Sequence, residues 1–159
     1  MLPALPDANV FTEARELMLC HDAIAALIPH QGAMCLLDRV VSYDDHAITC
    51  VAVNHGDASH PLREDGVLPA ICGVEYAAQA MAVHGALMGG EDVSPGVLAA
   101  VRDLTMNVDR LDDVSGELTI NAQQLWRDET RLLYEFSIRA TRGEIMHGRA
   151  AVVLTVADA

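Results

Sequence analysis

PAICGVEYAAQAMAVHGAL, residues 69–87, is the stretch of this sequence that decides the fold. Proline at the first position is typical of a helix start, because its missing N–H costs nothing there. The stretch is apolar on nearly every side, which predicts a helix buried either in protein or in lipid. Glu75, Gln79 and His84 interrupt the apolar surface and favour protein. We therefore predict one long, buried central helix.

Strand-like stretches surround this helix in the sequence. Before it, residues 33–43 and 47–53 flank a short polar step and predict an antiparallel hairpin. After it, apolar and polar residues alternate clearly in 118–122, LTINA, and 133–139, LYEFSIR. One apolar helix with long antiparallel strands predicts an α+β fold in which the sheet wraps the helix. The predicted later strands are 96–108, 116–126, 132–141 and 144–156.

A chain of 159 residues fits one domain with a proper core. We divide it into an N-terminal arm and helix, residues 1–21, with the helix starting from about Phe11, and a main domain, residues 22–159. The main domain opens with a short helix, in which Asp22 is the predicted cap and Pro29 the stop.

The charge balance excludes some classes of partner. The chain has 23 acidic and 10 basic residues, and every basic residue is an arginine. A formal net charge of −13 repels nucleic acid and anionic membrane over most of the surface, because binding to either depends on cations. Only a local arginine cluster would recruit an acidic partner.

Cysteine spacing and the N-terminal sequence bear on cofactors and compartment. Cys20, Cys35, Cys50 and Cys72 lack the close paired spacing of zinc sites and redox motifs, so we expect reduced core residues. The first residues carry neither a basic region nor an apolar stretch long enough for a signal peptide or a membrane span. We therefore expect a cytoplasmic protein.

Glu75 is the most informative residue for chemistry. A carboxylate inside an apolar helix carries a desolvation cost, and burial favours its protonated form. Glu75 is therefore a candidate general acid. The alternative is a structural carboxylate bonded to Gln79, one helical turn on, or to an arginine from a strand. Composition alone does not separate the two.

Residues 54–67, just before the helix, form a loop longer than an ordinary connection and therefore a candidate functional loop. A histidine near neutrality beside a protonated carboxyl group is a recognisable base and acid pair. His60 is the first candidate for the base and His55 the fallback, although most loop histidines have no catalytic role. His30 and His84 are predicted to be structural.

The start of the helix offers a third element of a site. Its first unpaired N–H groups, at Ala70, Ile71 and Cys72, could hold a developing oxyanion, although most helix ends bind only water. The sequence contains no GxSxG elbow, phosphate-binding glycine loop or HExxH motif. This absence argues against a hydrolase triad and against a nucleotide enzyme.

Two segments together carry a family resemblance. Residues 28–40, IPHQGAMCLLDRV, and 68–80, LPAICGVEYAAQA, resemble the beta-hydroxyacyl-ACP dehydratase family of hotdog proteins. They are more similar still to predicted dehydratases found with aryl-polyene biosynthesis clusters. The likeness covers roughly residues 22–157. It implies a hotdog fold, an antiparallel sheet wrapped around a long central helix.

The resemblance also implies roles for individual residues. It makes His60 the base and Glu75 the acid, normally contributed across a dimer interface by different subunits. The Ala70 N–H takes the place of a family glycine that holds the thioester oxygen, with Ile71 beside it. Gln79 stands at its expected place in the family's helix motif.

The implied reaction is dehydration of 3-hydroxyacyl thioesters on acyl carrier protein to trans-2-enoyl thioesters, with no metal or organic cofactor. The implied partners are acyl carrier protein with its phosphopantetheine-linked acyl chain and a second hotdog subunit, in a homodimer or a heterodimer. We expect Arg63, with Arg102 or Arg110, to meet the phosphopantetheine.

One departure from the family keeps two alternatives open. The family's His-Phe-Pro-Gly is His60-Pro-Leu-Arg63 here, with one extra residue before the acid. The first alternative is a non-catalytic hotdog subunit that binds acyl chains or stabilises a catalytic partner. The second is an acyl-thioester hydrolase, since hotdog thioesterases also carry an acidic residue on the central helix.

Overall fold

The computed structural model describes residues 19–29, 32–89 and 96–155. The helix predicted near Phe11 and the residue His30 lie outside these ranges. Short 3-10 turns cover Gly32–Met34, Asn54–Gly56 and Ala70–Cys72. The helices are α1, His21–Leu27, and α2, Gly73–Gly89. The strands are β1, Arg39–Tyr43; β2, Ala47–Ala52; β3, Gly96–Met106; β4, Leu118–Arg127; β5, Arg131–Ala140; and β6, Gly143–Leu154.

The six strands form one sheet in the order β1-β2-β4-β5-β6-β3, and every neighbouring pair is antiparallel. The predicted hairpin of β1 and β2 and the four later strands are confirmed, although the first strand, predicted over residues 33–43, begins only at Arg39. Strands β1 and β3 are the two edges. Alternation along β4 and β5 turns one row of side chains toward α2 and the other toward solvent.

Helix α2 lies across the inner face of the sheet and packs on β2, β4 and β5. Gly73 permits this close approach, because a Cβ atom there would lie 3.0 Å from the Met146 side chain and 3.1 Å from that of Ile138. Tyr134 and Phe136 of β5 are buried beneath the helix. The sheet therefore wraps a single long helix, and the predicted α+β hotdog architecture is confirmed.

One side of α2 is not covered by the sheet, although the sequence predicts burial on nearly every side. Ile71, just before the helix, is 51% exposed, Glu75 is half-buried and Ala82 is exposed. Edge strand β3 leaves Val97 and Leu98 exposed as well. An apolar surface at the helix entrance and along β3 is thus open in the single chain.

Local details differ from the sequence-based expectations at three places. Cys20 occupies the N-cap position of α1 without a side-chain hydrogen bond, and Asp22 lies inside the first turn, so Asp22 is not the cap. Residues Ala70–Cys72 form a 3-10 turn, and the α-helix begins only at Gly73. Cys20 is exposed and only two of the four cysteines are fully buried, although all four are free thiols.

Among the described residues, no helix combines the length and the apolar character needed to cross a membrane. The same residues contain no cluster of histidine, cysteine and acidic side chains that could hold a metal ion.

Candidate active site

Glu75 lines a shallow depression of about 450 Å³ at the uncovered side of α2. The other lining side chains are apolar or weakly polar, and they come from the 3-10 turn Gly32–Met34, the loop before the helix, the helix entrance with the first turn of α2, and β3. Glu75 is the only ionisable carboxyl group among the residues that line this depression. The lining residues besides Glu75 are Met34, Leu62, Ile71, Cys72, Val74, Val101 and Leu104.

Gln79 fixes one oxygen of Glu75 from the neighbouring turn of α2. Its amide Nε2 donates to Glu75 Oε1 at 3.4 Å and to the Met34 carbonyl at 2.7 Å. Its Oε1 accepts the Leu36 N–H at 2.9 Å, and the side chain is fully buried. Glu75 Oε1 is thus held by a side chain that is itself fixed to residues 34 and 36. Gln79 is therefore an orienting group for Glu75.

His60 belongs to a separate, buried hydrogen-bonded chain. The Leu62 N–H donates to His60 Nδ1 at 3.1 Å, and His60 Nε2–H donates to the Tyr76 hydroxyl at 2.9 Å. The Tyr76 O–H in turn donates to Asn54 Oδ1 at 2.7 Å. His60 is 5% exposed and Tyr76 is fully buried. The chain connects the functional loop to the first turn of α2.

These partners determine the protonation state of His60. Since the Leu62 N–H faces Nδ1, that nitrogen is the acceptor and the single proton of the neutral ring sits on Nε2. Burial, and then the nearby Arg63 guanidinium, lower the pKa of His60. Burial also raises the pKa of the Tyr76 hydroxyl. The neutral ring therefore has no free lone pair with which to take a proton.

The three N–H groups that the sequence suggests at the helix entrance, those of Ala70, Ile71 and Cys72, differ in whether they already have an acceptor. An isolated antiparallel bridge pairs Pro69 with Arg110. Beside it, the Ala70 N–H donates to the Asp109 carbonyl at 3.0 Å. The Ile71 N–H has no acceptor among the described residues, and its side chain lines the depression. Ile71 is the entrance residue that can offer a backbone donor to an oxyanion.

Arg63 is turned into the loop rather than toward solvent. Its guanidinium donates to the carbonyls of Gly66, at 2.7 Å, and Gly56, at 2.9 Å, and its side chain is 15% exposed. His55 is buried too, with Nε2–H donating to the Val114 carbonyl at 2.9 Å and Nδ1 unpaired within the described residues. Both side chains therefore brace the loop.

His84 has the structural role that the sequence predicts. Its Nδ1 accepts the Tyr134 O–H at 2.7 Å, and its Nε2–H donates to the Asp44 carbonyl at 2.9 Å. The ring is fully buried, and burial lowers its pKa. This bonding ties the middle of α2 to β5 and to the turn between β1 and β2.

The predicted site residues thus divide into two groups. Glu75 and Ile71 line the open depression, with the buried Gln79 bonded to Glu75, whereas His60 and Arg63 are held inside the loop. The hydrogen bonds of His60 lead to Tyr76 and Leu62 and not to Glu75. Sequence reasoning missed Tyr76. The available signal was a large side chain with a polar tip on a helix of small residues, since a buried tyrosine hydroxyl usually needs a partner.

Comparison with known proteins identifies the family. The model of the ApeP-like family, described as ApeP dehydratase, matches residues 22–158. The dehydratase heterocomplex ApeI:P from Xenorhabdus doucetiae is similar in structure, with 25% sequence identity, 84% of this chain and 91% of that chain covered, and a TM-score of 0.74. No curated protein sequence matches the chain significantly.

Two more distant structures show the fold alone. Zebrafish thioesterase superfamily member 2 is 17% identical, with 86% of this chain and 99% of that chain covered and a TM-score of 0.59. The E. coli PaaI protein from the phenylacetic acid degradation operon is 15% identical, with coverages of 84% and 88% and a TM-score of 0.57. The family match covers most of the chain, and the chain belongs to the ApeP-like dehydratase family.

Proposed function

We propose that this chain is a subunit of a dehydratase that converts 3-hydroxyacyl thioesters on acyl carrier protein to trans-2-enoyl thioesters in aryl-polyene synthesis, and that Glu75 is its catalytic acid. The observation that carries the proposal is the position of Glu75, a half-buried carboxyl group in an otherwise apolar depression. Membership of the ApeP-like dehydratase family supports the reaction class.

The reaction needs two proton transfers and no change in oxidation state. A base removes a proton from C2 of the acyl chain, and the thioester carbonyl oxygen gains negative charge. The Ile71 N–H is the donor available to that oxygen. Glu75 gives a proton to the hydroxyl at C3, and the C3–O bond breaks to release water. The proton taken from C2 returns to the site when Glu75 is reprotonated.

A second hotdog subunit completes the assembly. Edge strand β3 carries unpaired backbone groups and exposed apolar side chains, including Val97 and Leu98, a combination that single soluble chains usually avoid. The depression at Glu75 is bordered by Val101 and Leu104 of the same strand. The similar Xenorhabdus structure is a heterocomplex, which favours a heterodimer over a homodimer.

Acyl carrier protein is the proposed carrier of the substrate, and arginines are the groups available to an acidic partner. The guanidinium of Arg63 is occupied by backbone carbonyls of the loop, and Arg110 pairs with Asp112. Arg102, on β3 beside the depression, is exposed and has no ion pair among the described residues. Arg102 is therefore the better candidate of the three.

The bonds of His60 weigh against its predicted role as the base, and they favour a second candidate function. A hotdog subunit without a free base, and whose carboxyl group takes no part in the reaction, would be a structural or acyl-binding partner. The two functions differ in what they require of Glu75. A stabilising subunit would tolerate loss of the carboxyl group, whereas a catalytic subunit would not.

Product analysis tests the proposal. The chain, alone and copurified with its hotdog partner, is given a 3-hydroxyacyl chain on carrier protein, and the products are identified by mass spectrometry. We expect loss of water by the complex, and a fall of about 100-fold to 10,000-fold with Glu75→Gln, since positioned proton transfer contributes that much. Glu64→Gln, on an exposed part of the loop, is the matched control.

Each other outcome has a distinct meaning. Unchanged turnover by Glu75→Gln in the complex would show that this subunit only stabilises its partner. Free thiol with no enoyl product would show a thioester hydrolase instead.

A further inference from the structure

Two polar groups at the start of α2 differ in their access to a substrate. Glu75 lines the open depression, whereas His60 is 5% exposed and is not among the lining residues. A dehydratase site needs both an acid and a base within reach of the same acyl chain. In this chain Glu75 is accessible from the depression and His60 is not.

The hydrogen bonds of His60 explain why its imidazole stays in the buried position. The ring has one lone pair, at Nδ1, and the Leu62 N–H occupies it at 3.1 Å. The Nε2–H is given to Tyr76 at 2.9 Å, and Tyr76 gives its own proton to Asn54 at 2.7 Å. Releasing His60 would break its hydrogen bond to the buried Tyr76 hydroxyl, which would keep only Asn54, and would remove the acceptor of the Leu62 N–H.

We infer that this chain supplies only the acid to its assembly: Glu75 works with a histidine base from the partner subunit, while His60, locked by Tyr76 and Leu62, serves no active site. This inference rests on the proposed function. A heterodimer of two hotdog subunits has two places where an acid and a base can meet. The active site that would use His60 as its base is inactive, so each heterodimer has one active site that works. A homodimer of this chain is inactive for the same reason.

A set of variants in the copurified complex tests this inference. Glutamine at position 60 can accept the Leu62 N–H with its oxygen and donate its amide to Tyr76, so His60→Gln preserves the buried chain while removing the imidazole. We expect His60→Gln to keep the rate of enoyl formation within about threefold, because it removes no proton-transfer group. Glu75→Gln should lose about 100-fold or more in the same preparation.

Two further controls distinguish a loss of activity from a failure of the variant to fold or assemble. Thermal melting and size-exclusion chromatography establish that each variant assembles, and His60→Asn is a second replacement of the imidazole. Substituting the partner's own active-site histidine should abolish the activity. The wild-type chain without its partner should form no enoyl product.

The outcomes separate this inference from the proposed function. A loss of 100-fold or more in an assembled His60→Gln complex, with Glu75→Gln also inactive, would overturn the locked-histidine inference and leave the dehydratase function in place. Activity of the chain alone would overturn the inference too. A wild-type complex that forms no enoyl product would remove the proposed function itself, and the inference with it.

Discussion

Glu75 and Tyr76 are neighbours in the sequence, yet they belong to different regions of the molecule. An α-helix turns by about 100° per residue, so adjacent side chains point in different directions. Glu75 faces an open apolar depression, with Gln79 as a hydrogen-bond partner. Tyr76 faces the core and completes a closed chain with His60 and Asn54. The difference shows that a polar group can react only where the fold leaves it accessible.

The closed region has a counterpart further along the same helix. His84 and Tyr134 are both fully or almost fully buried and bonded to each other, as His60 and Tyr76 are. In both pairs one histidine nitrogen is hydrogen-bonded to a tyrosine hydroxyl and the other to a backbone group. Both pairs therefore behave as structural ties, and Glu75 stands apart from them.

Removing the amide of Gln79 should have the largest effect on stability. Gln79→Leu leaves the Leu36 N–H and the Met34 carbonyl without their buried partner, and each such group costs ~1–3 kcal/mol. We expect the free energy of unfolding to fall by roughly 3 kcal/mol in urea titrations. Gln123→Leu, on the exposed face of β4, is the control and should change little. Equal stability of the two variants would contradict the anchoring role of Gln79.

Removing single tyrosine hydroxyls should have a smaller effect. Tyr76→Phe leaves His60 Nε2–H and Asn54 Oδ1 unpaired, and Tyr134→Phe leaves His84 Nδ1 unpaired. We expect each to lower the free energy of unfolding by about 1–2 kcal/mol, with Tyr76→Phe the more costly because it orphans two groups. A Tyr76→Phe protein as stable as wild type would show that the closed chain contributes nothing.

The smallest expected effect is on pH dependence. Burial lowers the pKa of His84 and His60, so both stay neutral in the folded protein at a pH where the unfolded chain protonates them near the ordinary value of 6.5. The unfolded state then binds more protons, so their contribution to stability is lost as the pH falls below that value. Urea unfolding between pH of about 8 and 5 measures this loss.

A matched pair of variants isolates the histidine contribution. His84→Gln should show a shallower fall in stability with decreasing pH than wild type, because one buried titrating group is gone. Gln123→Leu, at an exposed position that does not titrate, should keep the wild-type slope. An unchanged slope in His84→Gln would mean that this histidine is not held neutral by the fold.

The elements of the fold could be predicted because their patterns are local. The apolar run of α2, the alternation in β4 and β5 and the polar step between β1 and β2 are all visible in short windows. The exposed face of α2 could not be predicted from the same run, because its residues look equally apolar whether they meet the sheet or a second subunit.

The site could be predicted only in part because its decisive contacts are long-range. Gln79 binds groups more than 40 residues away in the chain, and the Ala70 N–H meets the carbonyl of Asp109. No spacing rule connects these residues. The position of Glu75 could be predicted from the helix that carries it. The hydrogen bond of His60 depends on Tyr76, and the sequence does not show where the Tyr76 side chain points.

The structure of the complete two-subunit complex with a bound 3-hydroxyacyl analogue tests the central claim most directly. We expect Glu75 and a histidine of the partner subunit to lie on either side of the analogue's C2 and C3 atoms, with His60 still bonded to Tyr76. A structure in which His60 has left Tyr76 and contacts C2 of the analogue would contradict it.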